Sequence, residues 1–118
     1  MPEAPVADPV AIETIGDNAV VARVNIKLFD DKTLKHMNDM IEQAATKPGV
    51  IYVVLDMSRV QIVPSLGLGA LVQLSNRCKK RQQRLKLAGV QPMVRQTMAI
   101  TKLDRILDLT DTVDEALG

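Results

Sequence analysis

The sequence predicts an α/β fold: a single domain with a mixed, mostly parallel sheet, an N-terminal hairpin and about four helices. From residue 30 onward, apolar strand-like runs alternate with segments of helical period, a pattern typical of parallel strands joined by helices. Before them, two short β-branched runs at residues 11–15 and 19–24 flank Gly16-Asp17-Asn18, which predicts an antiparallel hairpin. A length of 118 residues suits one domain, which we place at residues 10–118.

The first half of this domain is organised around one helix and one central strand. Apolar residues recur with helical spacing over residues 32–46, which predicts the first helix. Asp30 or Asp31 would cap its start, and Pro48-Gly49 would end it. Residues 50–56 are apolar nearly throughout and end in a carboxylate, as expected of a central strand that is buried on both faces.

A loop over residues 57–64 leads from this strand to a second helix. We predict that helix from residue 66 to about residue 80, with Ser65 as its N-cap. Its apolar stripe is expected to contain Leu66, Ala70, Leu74 and Cys78, with Gly67 and Leu71 alongside.

The rest of the chain continues the alternation of strands and helices. The predicted elements are a strand at 84–89, a helix at 93–102 that follows Pro92, an edge strand at 106–107 and a closing helix at 111–117. Asp111 or Thr112 would cap the closing helix. Met93, Val94 and Met98 are expected to pack in the core.

Composition narrows the class of function. The formal net charge is +1 and aromatic residues are few, so we do not expect nucleic-acid binding. One cysteine, Cys78, and one histidine, His36, argue against a disulfide framework and a Cys/His metal cluster, and no cofactor is predicted. The acidic, Pro-rich residues 1–9 do not resemble a signal peptide and are expected to form a disordered lead-in. No apolar run approaches the roughly 20 residues that span a bilayer, so we expect a cytoplasmic protein without membrane insertion.

Ser65 is the most informative residue because it stands where the loop meets the second helix. The N-terminus of a helix presents unpaired backbone N–H groups and favours added negative charge, so a phosphate on Ser65 would be stabilised there. A reversible charge at this position predicts a switch. The alternative is a plain N-cap, worth about 1 kcal/mol of stability, and the two roles are compatible.

Two stretches around Ser65 resemble the STAS domain, the fold of bacterial anti-sigma factor antagonists. In that family the central strand ends in Asp-Leu-Ser, and the next helix opens with Asp-Ser-Ser/Thr-Gly-Leu-Gly. Here the strand ends Val54-Leu55-Asp56-Met57-Ser58, and the helix opens Pro64-Ser65-Leu66-Gly67-Leu68-Gly69. Residues 84–90, 91–103 and 111–117 are similar to the family's following strand, third helix and closing helix.

The resemblance implies a protein that binds other proteins and is not an enzyme. In the family, an unmodified serine permits binding to an anti-sigma factor that is also a serine kinase. Phosphorylation then separates the two proteins, and a phosphatase restores the serine. By position, Ser65 matches the phosphoacceptor. The expected partner-binding residues are Ser58, Pro64, Leu66, Gly67 and Leu68.

Two departures from the family pattern support an alternative function. Pro64 replaces the acidic residue before the serine and removes a backbone N–H, and Leu66 replaces the following Ser/Thr. The alternative is a STAS domain that is not phosphorylated and serves as an adaptor or scaffold subunit, for example on the cytoplasmic ATPase of a membrane transporter. A third class, direct nucleotide binding at the loop, lacks a phosphate-binding signature. The sequence leaves the oligomeric state open.

Three further features have two interpretations each. Gly67 and Gly69 could let a partner approach the helix closely or let the helix pack tightly on the sheet. Asp56 fits loop organisation better than a role as general base or metal ligand, because no second carboxylate or histidine is nearby in sequence. The basic segment 77–86 is either a solvated helix end or a surface for an acidic partner, and the acidic residues at 104–115 could offset its charge.

Overall fold

The structure, a computed structural model, describes residues 10–28 and 31–117, so the predicted lead-in at 1–9 lies outside the described residues. In these ranges the chain forms strands, α-helices and a 3₁₀ turn. In chain order they are β1 (Val10–Ile15), β2 (Ala19–Val24), α1 (Asp31–Ala45), β3 (Tyr52–Asp56), α2 (Ser65–Lys80), β4 (Arg84–Ala88), α3 (Pro92–Ile100), the 3₁₀ turn (Leu103–Arg105), β5 (Asp108–Thr110) and α4 (Val113–Leu117).

The strands lie in one sheet in the order β1-β2-β3-β4-β5. β1 and β2 pair antiparallel, and the later pairs are parallel, which confirms the predicted hairpin and the mixed, mostly parallel sheet. Parallel strands end at the same edge of a sheet. The register therefore places Arg23 of β2 beside Asp56 of β3, and Asp56 beside Ala88 of β4. This edge carries the candidate site.

β3 lies at the centre of the sheet and is covered on both faces, as predicted. Val53 and Leu55 belong to the large core formed with α1, α2 and α3, whereas Val54 belongs to a smaller core formed with Ala116 of α4. All three β3 side chains are fully buried. Because successive side chains of a strand point to opposite faces, these residues are divided between the two cores.

Several element ends differ from the prediction by one or two residues. α1 begins at Asp31, which is therefore its first residue and not its cap, and the other candidate cap, Asp30, lies outside the described residues. β3 begins at Tyr52 instead of residue 50. The N–H groups of Ile51 and Tyr52 both donate to the carbonyl of Asn18, at 2.8 and 3.0 Å, so the chain is tied to the hairpin turn before it enters the strand.

The last strand, β5, follows residues 106–107, so the prediction of a strand at those two positions was wrong. Lys102 adopts a left-handed backbone with φ of 62°, and a 3₁₀ turn follows it. The N–H of Leu107 donates to the carbonyl of Leu103 at 2.8 Å. This bond keeps residues 106–107 in the turn, so the strand begins only at Asp108.

The two C-terminal helices start close to the predicted positions. Pro92 is the first residue of α3, as its fixed φ and missing N–H favour. α4 begins at Val113, and the N–H of Glu115 donates to the hydroxyl of Thr112 at 3.1 Å. Of the two candidate caps, Thr112 and not Asp111 makes the capping bond.

Gln83 joins the ends of two helices and was not identified from the sequence. Its side chain is buried, and Nε2 donates to the carbonyls of Ala45 at 2.6 Å and Val50 at 3.0 Å. Its Oε1 accepts from Nε of Arg81 at 3.1 Å, and Nη1 of Arg81 donates to Oε2 of Glu42 at 2.9 Å. The amide thereby satisfies a carbonyl at the end of α1 that the helix itself leaves unpaired.

We expect Gln83→Ala to destabilise the domain by about 2–3 kcal/mol, because two carbonyls near the core lose their donor. Gln43→Ala is the matched control, since Gln43 is exposed on α1 and should change stability by less than about 0.5 kcal/mol. Urea unfolding followed by circular dichroism measures both. Equal effects of the two substitutions would contradict the role given to Gln83.

Candidate functional site: the start of helix α2

Asp56 organises the loop that follows β3. Its Oδ1 accepts a hydrogen bond from the N–H of Ser58 at 3.1 Å, and its Oδ2 lies 3.7 Å from Nε of Arg23. The N–H of the buried Met57 donates to the carbonyl of Ala88 at 2.8 Å, which carries the chain one step beyond the strand. These contacts agree with the loop-organising interpretation of Asp56.

The same loop is tied to the segment that follows β2. The N–H groups of Gln61 and Ile62 donate to the carbonyl of Lys27 at 2.8 and 2.9 Å, and Leu28 and Ile62 form a parallel bridge. Val60 and Val63 are buried in the large core. The loop is therefore anchored by its backbone and by buried side chains up to the residue before Pro64.

Pro64, and not Ser65, occupies the N-cap position of α2, so the predicted cap was wrong. Pro64 has an extended backbone (φ −66°, ψ 168°), and its carbonyl accepts the first helical bond from the N–H of Leu68 at 3.0 Å. Ser65 is exposed and is the first residue of the helix. The side chain of Pro64 cannot accept a hydrogen bond, and the first turn contains no acidic residue. The helix start thus presents uncapped N–H groups beside an accessible hydroxyl.

Most of the predicted apolar stripe of α2 is buried, namely Gly67, Leu71, Leu74 and Cys78, but Leu66 is exposed and Ala70 is half-buried. Gly67 and Leu68 are buried and are followed by Leu71, whereas Leu66 is 59% exposed. Leu66 is therefore not a core residue, and its side chain lies beside Ser65 at the surface. The burial of Gly67 favours tight helix packing, while Gly69 is exposed with open space where a Cβ would lie.

These positions divide the predicted partner-binding residues into two groups. Ser58, Pro64 and Leu66 are exposed. Gly67 and Leu68 are buried, and Leu68 belongs to the large core, so its side chain holds the helix in place.

Ser65 lines a groove of about 600 Å³ between α1 and α2. From α1 the groove is lined by residues that include Lys35, Asn38 and Asp39, and from α2 by residues that include Ser65, Leu66 and Gln73. Ser58 lies in neighbouring cavities at the ends of β2 and β3. The structure thus brings Ser65 and Leu66 together and places Ser58 apart from them, in the loop that leads to them.

The loop after β4 also supports the site, which sequence reasoning missed. Nε2 of Gln91 donates to the carbonyl of Ser58 at 2.8 Å. Gly89 has a φ of +67°, and a Cβ there would lie 3.1 Å from Cβ of Ser58 and 3.6 Å from Oδ1 of Asp56. Only a glycine satisfies both conditions without strain. Asp56 pairs with Ala88 at the end of β4, so the loop after β4 leaves the sheet beside the site.

The basic segment 77–86 is partly neutralised within the domain. Arg77 lies 3.7 Å and Arg81 2.9 Å from carboxylate oxygens of Glu42 on α1. Nζ of Lys86 lies 5.5 Å from the centre of the Tyr52 ring. Glu42, and not the acidic residues at 104–115, provides the described ion pairs of this segment, which favours the interpretation as a helix end.

The remaining candidate groups do not form a reactive site. Cys78 is fully buried, and burial raises the pKa of its thiol, so we expect it to be inert. His36 is exposed on α1.

Val94 and Met98 are buried as predicted, but Met93 is 76% exposed, so its assignment to the core was wrong. Among the described residues there is no group of His, Cys, Asp and Glu suited to a metal, and no helix is long and apolar enough to cross a membrane.

Comparison with known proteins identifies a matching domain family and solved structures with a similar fold. The family model described as "STAS domain" matches residues 10–116. An anti-sigma-factor antagonist (STAS) domain protein from Planctomyces limnophilus is 19% identical with a TM-score of 0.79, over 92% of this chain and 94% of that one. The Bacillus cell fate determinant SpoIIAA in its phosphorylated form is 18% identical with a TM-score of 0.69, over 92% and 96%. A sulfate transporter family protein from Wolinella succinogenes is 19% identical with a TM-score of 0.74, over 89% and 86%. At these identities the likeness is one of fold.

Because the hydroxyl of Ser65 is not the cap, we expect Ser65→Ala to change stability by less than about 0.5 kcal/mol. Thr112→Ala, which removes an observed capping bond, should cost about 1 kcal/mol. Urea or thermal unfolding of the two variants tests the assignment. It would be overturned if Ser65→Ala were the more destabilising change.

Gly89→Ala should destabilise the domain by more than Gly16→Ala. Both positions have positive φ, at +67° and +60°, which costs an alanine about 1–2 kcal/mol. Gly16 has open space around its Cβ position, whereas Gly89 adds a close contact with Ser58. The difference between the two unfolding free energies measures the contribution of this contact. Equal unfolding free energies would show that the loop around Ser58 moves aside at no energetic cost.

Proposed function

The chain belongs to the STAS domain family, and from this premise we propose that it is a regulator that binds a protein partner through the start of α2, in the manner of an anti-sigma factor antagonist. The observation that carries the proposal is the exposed Ser65 on an uncapped first helical turn, beside exposed apolar side chains. In this proposal the protein acts by binding and not by catalysis, and it works in the cytoplasm.

Exposed apolar side chains around Ser65 supply the contact surface. Ile62 is 58% exposed, Leu66 is 59% exposed and Leu28, bridged to Ile62, is 49% exposed. Large apolar groups that cluster at a surface are typical of sites where another protein binds. Pro64 and Ser58 lie in the same connection and complete the proposed contact, and Gly67 and Leu68 contribute by fixing the helix from below.

Phosphorylation of Ser65 would act differently on the free and the bound protein. In the free chain, a phosphate of about −2 charge is solvated and stabilised by the uncapped N–H groups. In a packed contact with apolar neighbours the same charge would lose its water, which is costly unless the partner provides matching cations. The modification therefore favours dissociation, which is the property a switch requires.

The proposed partner is an anti-sigma factor that is also a serine kinase, with a phosphatase that reverses the modification. Support comes from the similar structures, which include anti-sigma factor antagonists and a phosphorylated form. Pro64 in place of an acidic residue leaves the serine without a neighbouring carboxylate. We expect phosphorylation to be slower than in relatives that have one, while the contact surface is kept.

A second candidate is an adaptor that binds its partner without phosphorylation, such as a subunit on a transporter's ATPase. It is favoured by Pro64 and Leu66 and by the similarity in fold to a sulfate transporter family protein. The two candidates share the binding surface and differ in the partner and in whether Ser65 is modified.

We expect Ser65→Asp to abolish partner binding and Ser65→Ala to retain it, because only the first places a charge in the contact. Pull-downs from extracts of the native cell, with each variant as bait and the bound proteins identified by mass spectrometry, measure this. If both variants retain the partner as the unmodified protein does, the switch is refuted.

Incubating the isolated partner with the protein and ATP separates the two candidates. A phosphate on Ser65 supports the switch, and a stable unmodified complex supports the adaptor. Thr101→Ala is the control, since Thr101 is also an exposed hydroxyl residue but lies at the end of α3, and the substitution should leave both results unchanged.

A further inference from the structure

A cavity of about 440 Å³ lies at the edge of the sheet, between the segment that follows β2 and the loop that follows β3. Its polar lining consists of Asn25, Lys27, Ser58, Arg59, Gln61 and Gln91. These residues provide two cations, side-chain amides and a hydroxyl, and no acid is among them. We call this set the cationic pocket. Its size falls within the range of binding sites, and its chemistry suits an anion.

The cations of this pocket are not neutralised by a described carboxylate. Nη1 of Arg59 donates to the amide oxygen Oδ1 of Asn25 at 3.3 Å, which orients the guanidinium without cancelling its charge. Lys27 is exposed and forms no ion pair with a described carboxylate. The nearest acid in the neighbouring cavity, Asp56, is engaged by Ser58 N–H and lies 3.7 Å from Nε of Arg23.

Exposed apolar side chains follow directly after polar lining residues of the cationic pocket in both loops. Lys27 and Gln61 line the cationic pocket, while the residues that follow them, Leu28 and Ile62, form the parallel bridge and are exposed apolar groups outside it. Ile26, a half-buried apolar residue, also lines the pocket. The two bridged segments therefore present cationic and polar side chains next to exposed apolar ones.

We propose that the cationic pocket receives an acidic segment of the protein partner, whose carboxylates contact Lys27 and Arg59 while its apolar residues cover Leu28 and Ile62. This deepens the proposed function, on which it rests, by naming the chemistry of the partner. A small free anion would use the pocket alone and leave the adjoining apolar groups exposed. A peptide segment that alternates acidic and apolar residues matches both sides.

The test compares two double variants with the same change in net charge. Lys27→Glu with Arg59→Glu should raise the Kd for the isolated partner at least about tenfold, since charge reversal replaces attraction by repulsion. Lys79→Glu with Lys80→Glu, at exposed positions in the last turn of α2, should leave the Kd within about twofold. Added salt should weaken the unmodified complex more than the Lys27/Arg59 variant. Circular dichroism checks that both variants fold.

A second measurement does not depend on the partner. The ¹⁵N-labelled chain is titrated with a peptide of alternating Glu and Leu, with a Gln/Leu peptide, with inorganic phosphate and with ATP. We expect amide shifts at residues 26–28 and 58–62 at a lower concentration of the Glu/Leu peptide than of phosphate or ATP, and none with the Gln/Leu peptide. Equal or stronger binding of phosphate or ATP at these residues, or equal loss of binding in both double variants, would overturn the proposal.

The two proposals can fail separately. If Ser65→Asp binds the partner normally but the Lys27/Arg59 variant does not, the switch fails and the cationic pocket stands. If Ser65→Asp loses the partner while both double variants bind it, the switch stands and the cationic pocket fails.

Discussion

The arrangement of the proposed binding surface depends on the backbone carbonyl of Lys27. It accepts hydrogen bonds from the N–H groups of Gln61 at 2.8 Å and Ile62 at 2.9 Å, which join two loops that are distant in sequence. This tie sets how much chain remains before α2 and so determines where Ser65 is presented. It also joins the two segments whose side chains line most of the cationic pocket. Both proposed interactions therefore follow from one backbone contact.

Pro64 sets the chemistry of the helix start. An Asp or Ser at an N-cap accepts a hydrogen bond from the first turn, but proline offers no such group, so the positive end of the helix stays available to another anion. Its fixed φ limits the unfolded chain, which offsets part of the stability that a missing cap costs. The same substitution removes negative charge from the immediate neighbour of Ser65. The helix start would therefore stabilise a phosphate on Ser65, but it provides no carboxylate next to the serine to assist phosphoryl transfer.

The sequence was sufficient for features that depend on local pattern. The apolar run of β3, the hairpin around Gly16 and the proline start of α3 were predicted because each follows from adjacent residues. Features that depend on distant contacts were not. Nothing near Gln83 indicates that its amide bonds to Ala45, and the bridge between Leu28 and Ile62 has no local signature. The exposure of Leu66 was missed for the same reason, because Leu66 matches the helical period of α2 and only the tertiary structure shows that the core covers the neighbouring Gly67 and Leu68 instead.

In the proposed complex, the cationic pocket and Ser65 would act on different parts of the binding free energy. Charges on Lys27 and Arg59 attract an acidic segment over a Debye length of about 10 Å at 0.1 M salt, whereas the apolar groups contribute only on contact. Ser65 is four residues beyond Gln61, which lines the pocket, a separation of at most about 14 Å, so the interaction of a phosphate there with the pocket would be partly screened. It would weaken the attraction of an acidic partner only in part. Its larger effect is the loss of hydration in the packed contact, which acts at short range. A phosphate on Ser65 would therefore weaken the binding of an acidic partner both by electrostatic repulsion and by lost hydration. It would weaken the binding of a partner without an acidic segment only by lost hydration.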